Sequence, residues 1–84
     1  MYYVYVIANS QGKIYIGQTA NLSNRLDAHN KGISSYTKKI GGPWKIIYQE
    51  DYDTRAQAKQ RETYFKQGSG HRLLRDILKI RGVA

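Results

Sequence analysis

The chain has 84 residues, no cysteine, and 14 lysines and arginines against 6 acidic residues, for a formal net charge of +8. That length leaves room for one modest core, so we expect one domain over residues 1–84, and the missing cysteines exclude disulfides and thiolate metal centres. The excess charge points to a polyanionic partner, nucleic acid first because bound lysine and arginine release counterions from phosphates; an anionic lipid surface would satisfy the same charge. No run approaches the roughly 20 apolar residues of a membrane span and no leader pattern opens the chain, so the expected setting is the cytoplasm, without a membrane partner.

Tyr2 to Ala8 is a run of aromatic and β-branched residues, and Asn9-Ser10-Gln11-Gly12 has the polar, glycine-containing composition of a hairpin loop. Lys13 to Gly17 returns as the partner strand. Side chains alternate along a strand, so Tyr3 and Tyr5 share one face, and Tyr15 and Gly17 share one face of the neighbour, with the register open. From about Asn21 to Asn30, Leu22, Leu26 and His29 fall at helical offsets with Asn21 as N-cap, and Arg25 lies within the same arc of about 100°. Lys31 to Pro43, with three glycines, two serines and the Lys38-Lys39 pair, reads as a long basic loop. Trp44 to Tyr52 supplies a third strand. Thr54 and Gln57 fit a capping box that opens a helix to about Gln67, with Gly68 and Gly70 as its stop. On that helix Ala58, Glu62 and Phe65 share the face expected to pack on the sheet. Leu73, Leu74, Ile77, Leu78 and Ile80 form a last amphipathic helix that closes the core. The sum is an α/β chain of the α+β type, a three-stranded antiparallel sheet flanked by about three helices.

Across these elements Tyr3-Val4-Tyr5 is followed ten residues on by Tyr15-Ile16-Gly17, then by Arg25 and, on a later helix, Glu62. This order of parts resembles the GIY-YIG nuclease superfamily over nearly the whole chain. The stretch Gln18-Thr19, Asn21-Leu22 and Arg25-Leu26, with Arg61-Glu62 and Lys66, is similar to its small stand-alone members. The resemblance implies a metal-dependent DNA endonuclease that is structure-selective or of low sequence specificity, with Mg²⁺ or Mn²⁺ as cofactor. It implies Tyr15 as general base, Tyr5 in support and His29 orienting or relaying a proton. Three departures stand out: the first motif lacks its Gly and Ile, Gln18 stands where excision-repair relatives carry lysine, and no asparagine follows Glu62.

The residue types suit that chemistry. Phosphodiester hydrolysis needs a deprotonated nucleophile, neutralisation of the non-bridging oxygens and help for the departing oxygen, and a bound Mg²⁺ serves all three. Mg²⁺ keeps several waters and often takes one or two carboxylates, so Glu62 alone suffices as an anchor. The planar guanidinium of Arg25 fits a phosphate at any working pH. A tyrosine is a poor base at its ordinary pKa near 10, and neighbouring cations favour the phenolate. Lys38, Lys39, Lys59, Arg61 and Lys66 are candidate nucleic-acid contacts, and Tyr36 or Trp44 could stack on an unpaired base for about 1–3 kcal/mol, with a place in the core at least as good a reading of Trp44.

Each feature also has a plainer reading. Strand tyrosines fit any half-buried pleat, Gly17 can serve close packing, and His29 can be a satisfied core histidine. Arg25 and Glu62 could pair with each other, and the basic helix residues could be a solvated face. Functional alternatives of another class are a DNA- or RNA-binding module of the same fold without useful turnover, and an interaction domain activated by a protein partner.

Overall fold

A computed structural model describes residues 1–32 and 35–82, without the side chains of residues 35 and 36. Strands β1 (Tyr2–Ala8), β2 (Ile14–Thr19) and β3 (Lys45–Tyr52) form one antiparallel sheet in the order β2-β1-β3. Helices α1 (Leu22–Asn30) and α2 (Ser35–Ile40) precede β3; α3 (Arg55–Phe65) and α4 (Gly68–Ile80) follow it. The α+β expectation holds. None of the helices is long and apolar enough to cross a membrane.

Register decides which side chains meet. Tyr5 stands opposite Gly17 and Ile7 opposite Tyr15. Cross-strand partners share a face, so Tyr3, Tyr5, Ile7, Tyr15 and Gly17 look to one side and Val4, Val6 and Ile16 to the other. Along β3, Val6 pairs with Tyr48 and Ile7 with Ile46, so a bulge leaves Ile47 extra. Both Ile47 and Tyr48 then pack with Val6, while Ile46 packs with Tyr5 and Ile7 on the opposite face.

Each face has its own helical cover. Val4, Val6 and Ile16 bury against Ala58 and Phe65 of α3 and Leu74 and Leu78 of α4. Tyr5, Ile7 and Trp44 pack with Leu22 and Leu26 of α1 and Ile40 of α2. Local signals fix the connections. The Asn9 side-chain oxygen accepts from the N–H groups of Gln11 and Lys13 at 3.0 and 2.9 Å, closing the hairpin, and its amide donates to the Gly41 carbonyl. Asn21 caps α1 by accepting from the Asn24 N–H, and Thr54 with Gln57 forms the expected capping box on α3.

Three expectations need correction. The segment read as a basic loop contains α2, whose six residues are too short to show a helical period. Gly68 and Gly70 do not stop α3, which ends at Phe65; they open α4. A Cβ at Gly70 would run into the Tyr64 carbonyl, so this glycine lets α4 close on α3. Leu73 and Ile80 are exposed by 38 % and 87 %, leaving Leu74 and Leu78 to carry the packing of α4. Of the two readings of Trp44, the core one holds: it is buried, and Asn30 clamps its backbone, accepting from its N–H at 2.6 Å and donating to its carbonyl at 3.1 Å. The side chain of Tyr36, the other expected stacker, lies outside the described residues.

Candidate functional site

The face of the sheet under α1 and α2 carries a chain of hydrogen bonds centred on Tyr5. The Tyr5 ring lies across Gly17, where an ideal Cβ would come within 2.5 Å of the hydroxyl oxygen and 2.7 Å of Cζ. Gly17 is therefore required by the ring above it; its backbone is not in the left-handed region. Arg25 Nε donates to the Tyr5 hydroxyl at 3.3 Å, that hydroxyl lies 2.8 Å from His29 Nε2, and His29 Nδ1 lies 2.8 Å from Thr37 Oγ1. Since a guanidinium can only donate, the Tyr5 oxygen accepts from Arg25 and passes its own proton toward His29. That direction assigns His29 the tautomer protonated at Nδ1, with Thr37 as acceptor.

Electrostatics agree with this polarity. Burial, and after it the Arg25 charge, hold His29 below the ordinary imidazole pKa, so its ring is neutral at neutral pH and free to accept at Nε2. Burial pushes the Tyr5 phenol up and outweighs the lowering pull of the Arg25 hydrogen bond and charge. The expectation that neighbouring cations favour a phenolate thus fails at Tyr5, which is 1 % exposed. Arg25 is raised, first through its hydrogen bond to Tyr5, with a smaller contribution from Tyr15.

Tyr15 is half-buried beside this chain, its ring centroid 4.9 Å from that of His29 and 6.3 Å from that of Tyr5. Glu62 belongs to α3, the helix that covers the other face of the sheet. Its carboxylate accepts from Lys66 Nζ at 2.6 Å, and the same ammonium stands 5.7 Å from the Tyr15 ring centroid. Glu62 is also close enough for its charge to act on Tyr5. Arg25 and Glu62 do not pair: Arg25 is held by phenols and Glu62 by Lys66.

Of the basic candidates, Lys38 and Lys39 are exposed on α2 and Lys59 on α3. Arg61 is engaged inside the fold, donating to Glu50 at 2.9 and 3.3 Å with its guanidinium 4.4 Å from the Phe65 ring centroid. Thr37 escaped the sequence reading because a threonine eight residues after a histidine carries no periodic signal; only the α1–α2 pairing brings them together. Among the described residues no three histidine, aspartate or glutamate side chains cluster as a metal cage. The single carboxylate of Glu62, one-fifth exposed, fits an ion bound largely through water and substrate phosphate, as Mg²⁺ and Mn²⁺ are at phosphoryl sites.

Residues 1–74 match the family model of the GIY-YIG catalytic domain. A UPF0213 protein of Clostridium perfringens (strain 13 / Type A) is 36% identical over 66 residues, which cover 79% of this chain and 71% of the relative. A UPF0213 protein of Staphylococcus aureus (strain Mu3) is 32% identical over 76 residues, covering 90% of this chain and 93% of the relative. No solved structure matches the chain.

Proposed function

This chain belongs to the GIY-YIG family of nuclease-type domains, and from that premise we propose that it is a divalent-metal-dependent DNA endonuclease. In this reading it works in the cytoplasm as one domain over residues 1–84, and it is structure-selective or of low sequence specificity. The observation that carries the proposal is the hydrogen-bonded chain from Arg25 through Tyr5 and His29 to Thr37, with Tyr15 alongside it.

Water attacks the phosphodiester. Tyr15, the more accessible of the two motif phenols, acts as general base in its phenolate form, which takes the water's proton and becomes the phenol, with Arg25 and Lys66 as its flanking cations. Tyr5 is buried and acts by position. Its oxygen fixes Arg25 through Nε, so that the guanidinium faces a phosphate oxygen and stabilises the charge that grows there. His29, neutral and anchored on Thr37, holds the Tyr5 proton away from Arg25 and can receive it in a relay. Glu62 would hold Mg²⁺ or Mn²⁺, whose contribution when bound is Lewis-acid neutralisation of the phosphate and of the departing oxygen. Lys66 must then exchange Glu62 for a phosphate. The exposed Lys38, Lys39 and Lys59 add sequence-independent attraction for the backbone.

Cleavage of nicked, flapped, branched and single-stranded DNA, with matched RNA, in Mg²⁺ or Mn²⁺ tests the proposal. Metal-dependent products from DNA that disappear in Glu62→Ala are expected; no products, or equal products from Glu62→Ala, would overturn it. A binding module without turnover is the second reading, favoured by the Lys66 ion pair that occupies Glu62. Salt-dependent binding with no metal-dependent cleavage would mark it.

A further inference from the structure

We infer that the strand leaving the scissile phosphate is held single-stranded along the edge of β2 and in a cleft bordered by the β1–β2 hairpin. Lys66, His71, Arg75 and Lys45 are its phosphate contacts. The inference rests on the nuclease reading and adds a substrate path that begins where the candidate site ends.

Two hollows adjoin. The first, of about 360 Å³, lies against Tyr15 and is bounded by Ile14, Lys66 and His71. The second, of about 870 Å³, shares Ile14 and His71 with the first and continues to Arg75 on α4 and Lys45 at the start of β3. A ligand seated at Tyr15 therefore has a second hollow next to it, across Ile14 and His71. No acidic side chain lines either hollow; Lys66, at the first, is paired with Glu62 and reaches a phosphate only by leaving it, the exchange that the nuclease reading already requires. Lys45 and Arg75 are exposed and take part in no ion pair among the described residues. His71 has its Nδ1 3.3 Å from the Phe65 carbonyl, which as a donor leaves Nε2 for a ligand.

Charge selects a polyanion, and shape selects its form. Cations spaced along a floor of aliphatic side chains suit a backbone whose phosphates meet the cations while sugars and bases lie on the apolar surface. A duplex keeps its bases stacked away from such a floor, whereas a single strand can lay them on it. A lone small anion would not need cations distributed from Lys66 to Lys45. The outer side of β2 is the open edge of the sheet, so no strand obstructs the path.

The test is binding of a fluorescent oligothymidylate of about ten residues, by anisotropy in EDTA, so that it is independent of cleavage. The double variant Lys45→Ala/Arg75→Ala is compared with Arg72→Ala/Lys79→Ala, exposed residues on α4 that line neither hollow and give the same change of charge. Loss of two single-strand phosphate contacts should weaken binding about tenfold near physiological salt and flatten the log K against log salt slope by about 1.4, with little change in the control pair. Equal losses in both pairs, or none, overturn the inference, as does failure of the wild type to bind. NMR shifts of the Gly12, Ile47 and His71 amides on titrating the oligonucleotide into the wild type should accompany binding; binding without them also overturns it. Cleavage that survives when the cleft pair has no effect would refute the path and leave the nuclease standing. A selective loss of binding in a protein that never cleaves would do the reverse.

Discussion

Replacing Gly17 by alanine isolates the packing that builds the site. In most strand positions this change is neutral or favourable, because glycine costs about 0.5–1 kcal/mol relative to alanine. Here the new methyl would lie 2.5 Å from the Tyr5 hydroxyl and 2.7 Å from its Cζ, and the ring is 1 % exposed and cannot swing into solvent. Overpacking a core typically costs about 1–3 kcal/mol. Displacing the ring also weakens its bonds to His29 and Arg25, worth about 0.5–1.5 kcal/mol when neutral and about 1.5–3 kcal/mol when one partner is charged. Subtracting the glycine benefit leaves a net loss of about 2–4 kcal/mol, or roughly 10–30 °C in Tm for a domain of this size. Urea and thermal denaturation of wild type, Gly17→Ala, Tyr5→Phe and the double variant measure it. Without the hydroxyl, the closest clash is gone and the ring is untied from His29 and Arg25, so the Gly17→Ala cost should fall by about 1 kcal/mol or more in the Tyr5→Phe background. A cost below about 0.5 kcal/mol, or strictly additive effects, would refute the contact as the reason for this glycine.

Thr37→Val leaves the buried His29 Nδ1–H without this acceptor and should cost about 1–3 kcal/mol by urea denaturation, with Thr37→Ser largely restoring stability; a valine variant as stable as wild type contradicts the assigned tautomer. Because burial and Arg25 lower the His29 pKa, its contribution to stability is present above the unfolded value near 6.5 and is lost as pH falls from there toward the folded value. An NMR titration of the His29 ring should give a midpoint below the ordinary one. Burial alone would raise Glu50, but hydrogen bonds from Arg61, Tyr48 and Tyr52 outweigh it and hold Glu50 below its ordinary value. Its contribution is therefore present above the unfolded value near 4.3 and lost as pH falls through the folded one, so Glu50→Gln should flatten the acid limb of Tm against pH. Burial, then the bond to Glu50, pushes Tyr48 and Tyr52 up to about 12, so their contribution is intact below pH 10 or so and disappears as pH rises through about 12; ultraviolet titration of Tyr48→Phe and Tyr52→Phe would locate both phenols.

Local signals in the sequence were enough for the parts that are themselves local. Alternation gave the strands, Asn21 and the Thr54–Gln57 box marked the starts of α1 and α3, and motif order named Tyr5, Tyr15, Arg25 and His29 before their contacts were visible. What was not legible depends on pairing between distant segments. The choice of Gly17 follows from its register opposite Tyr5, and the role of Thr37 from a helix too short to show periodicity. Arg61 reads as one more exposed cation until the bulged β3 brings Glu50 beside it. Glu62 lies on the expected helix, yet the Lys66 ammonium that it holds stands over Tyr15 of the edge strand β2, a meeting no local pattern reveals.

The most direct measurement is paramagnetic broadening of the amide spectrum by Mn²⁺ in the presence of a short, non-hydrolysable oligonucleotide, with wild type and Glu62→Ala compared. If one phosphate is handled jointly by the carboxylate of α3 and the phenols and guanidinium of the opposite face, broadening centres on Glu62, Tyr15 and Arg25 together and vanishes in the variant. Broadening that centres on other acids such as Asp51 and Asp53, or that persists unchanged without Glu62, would contradict it.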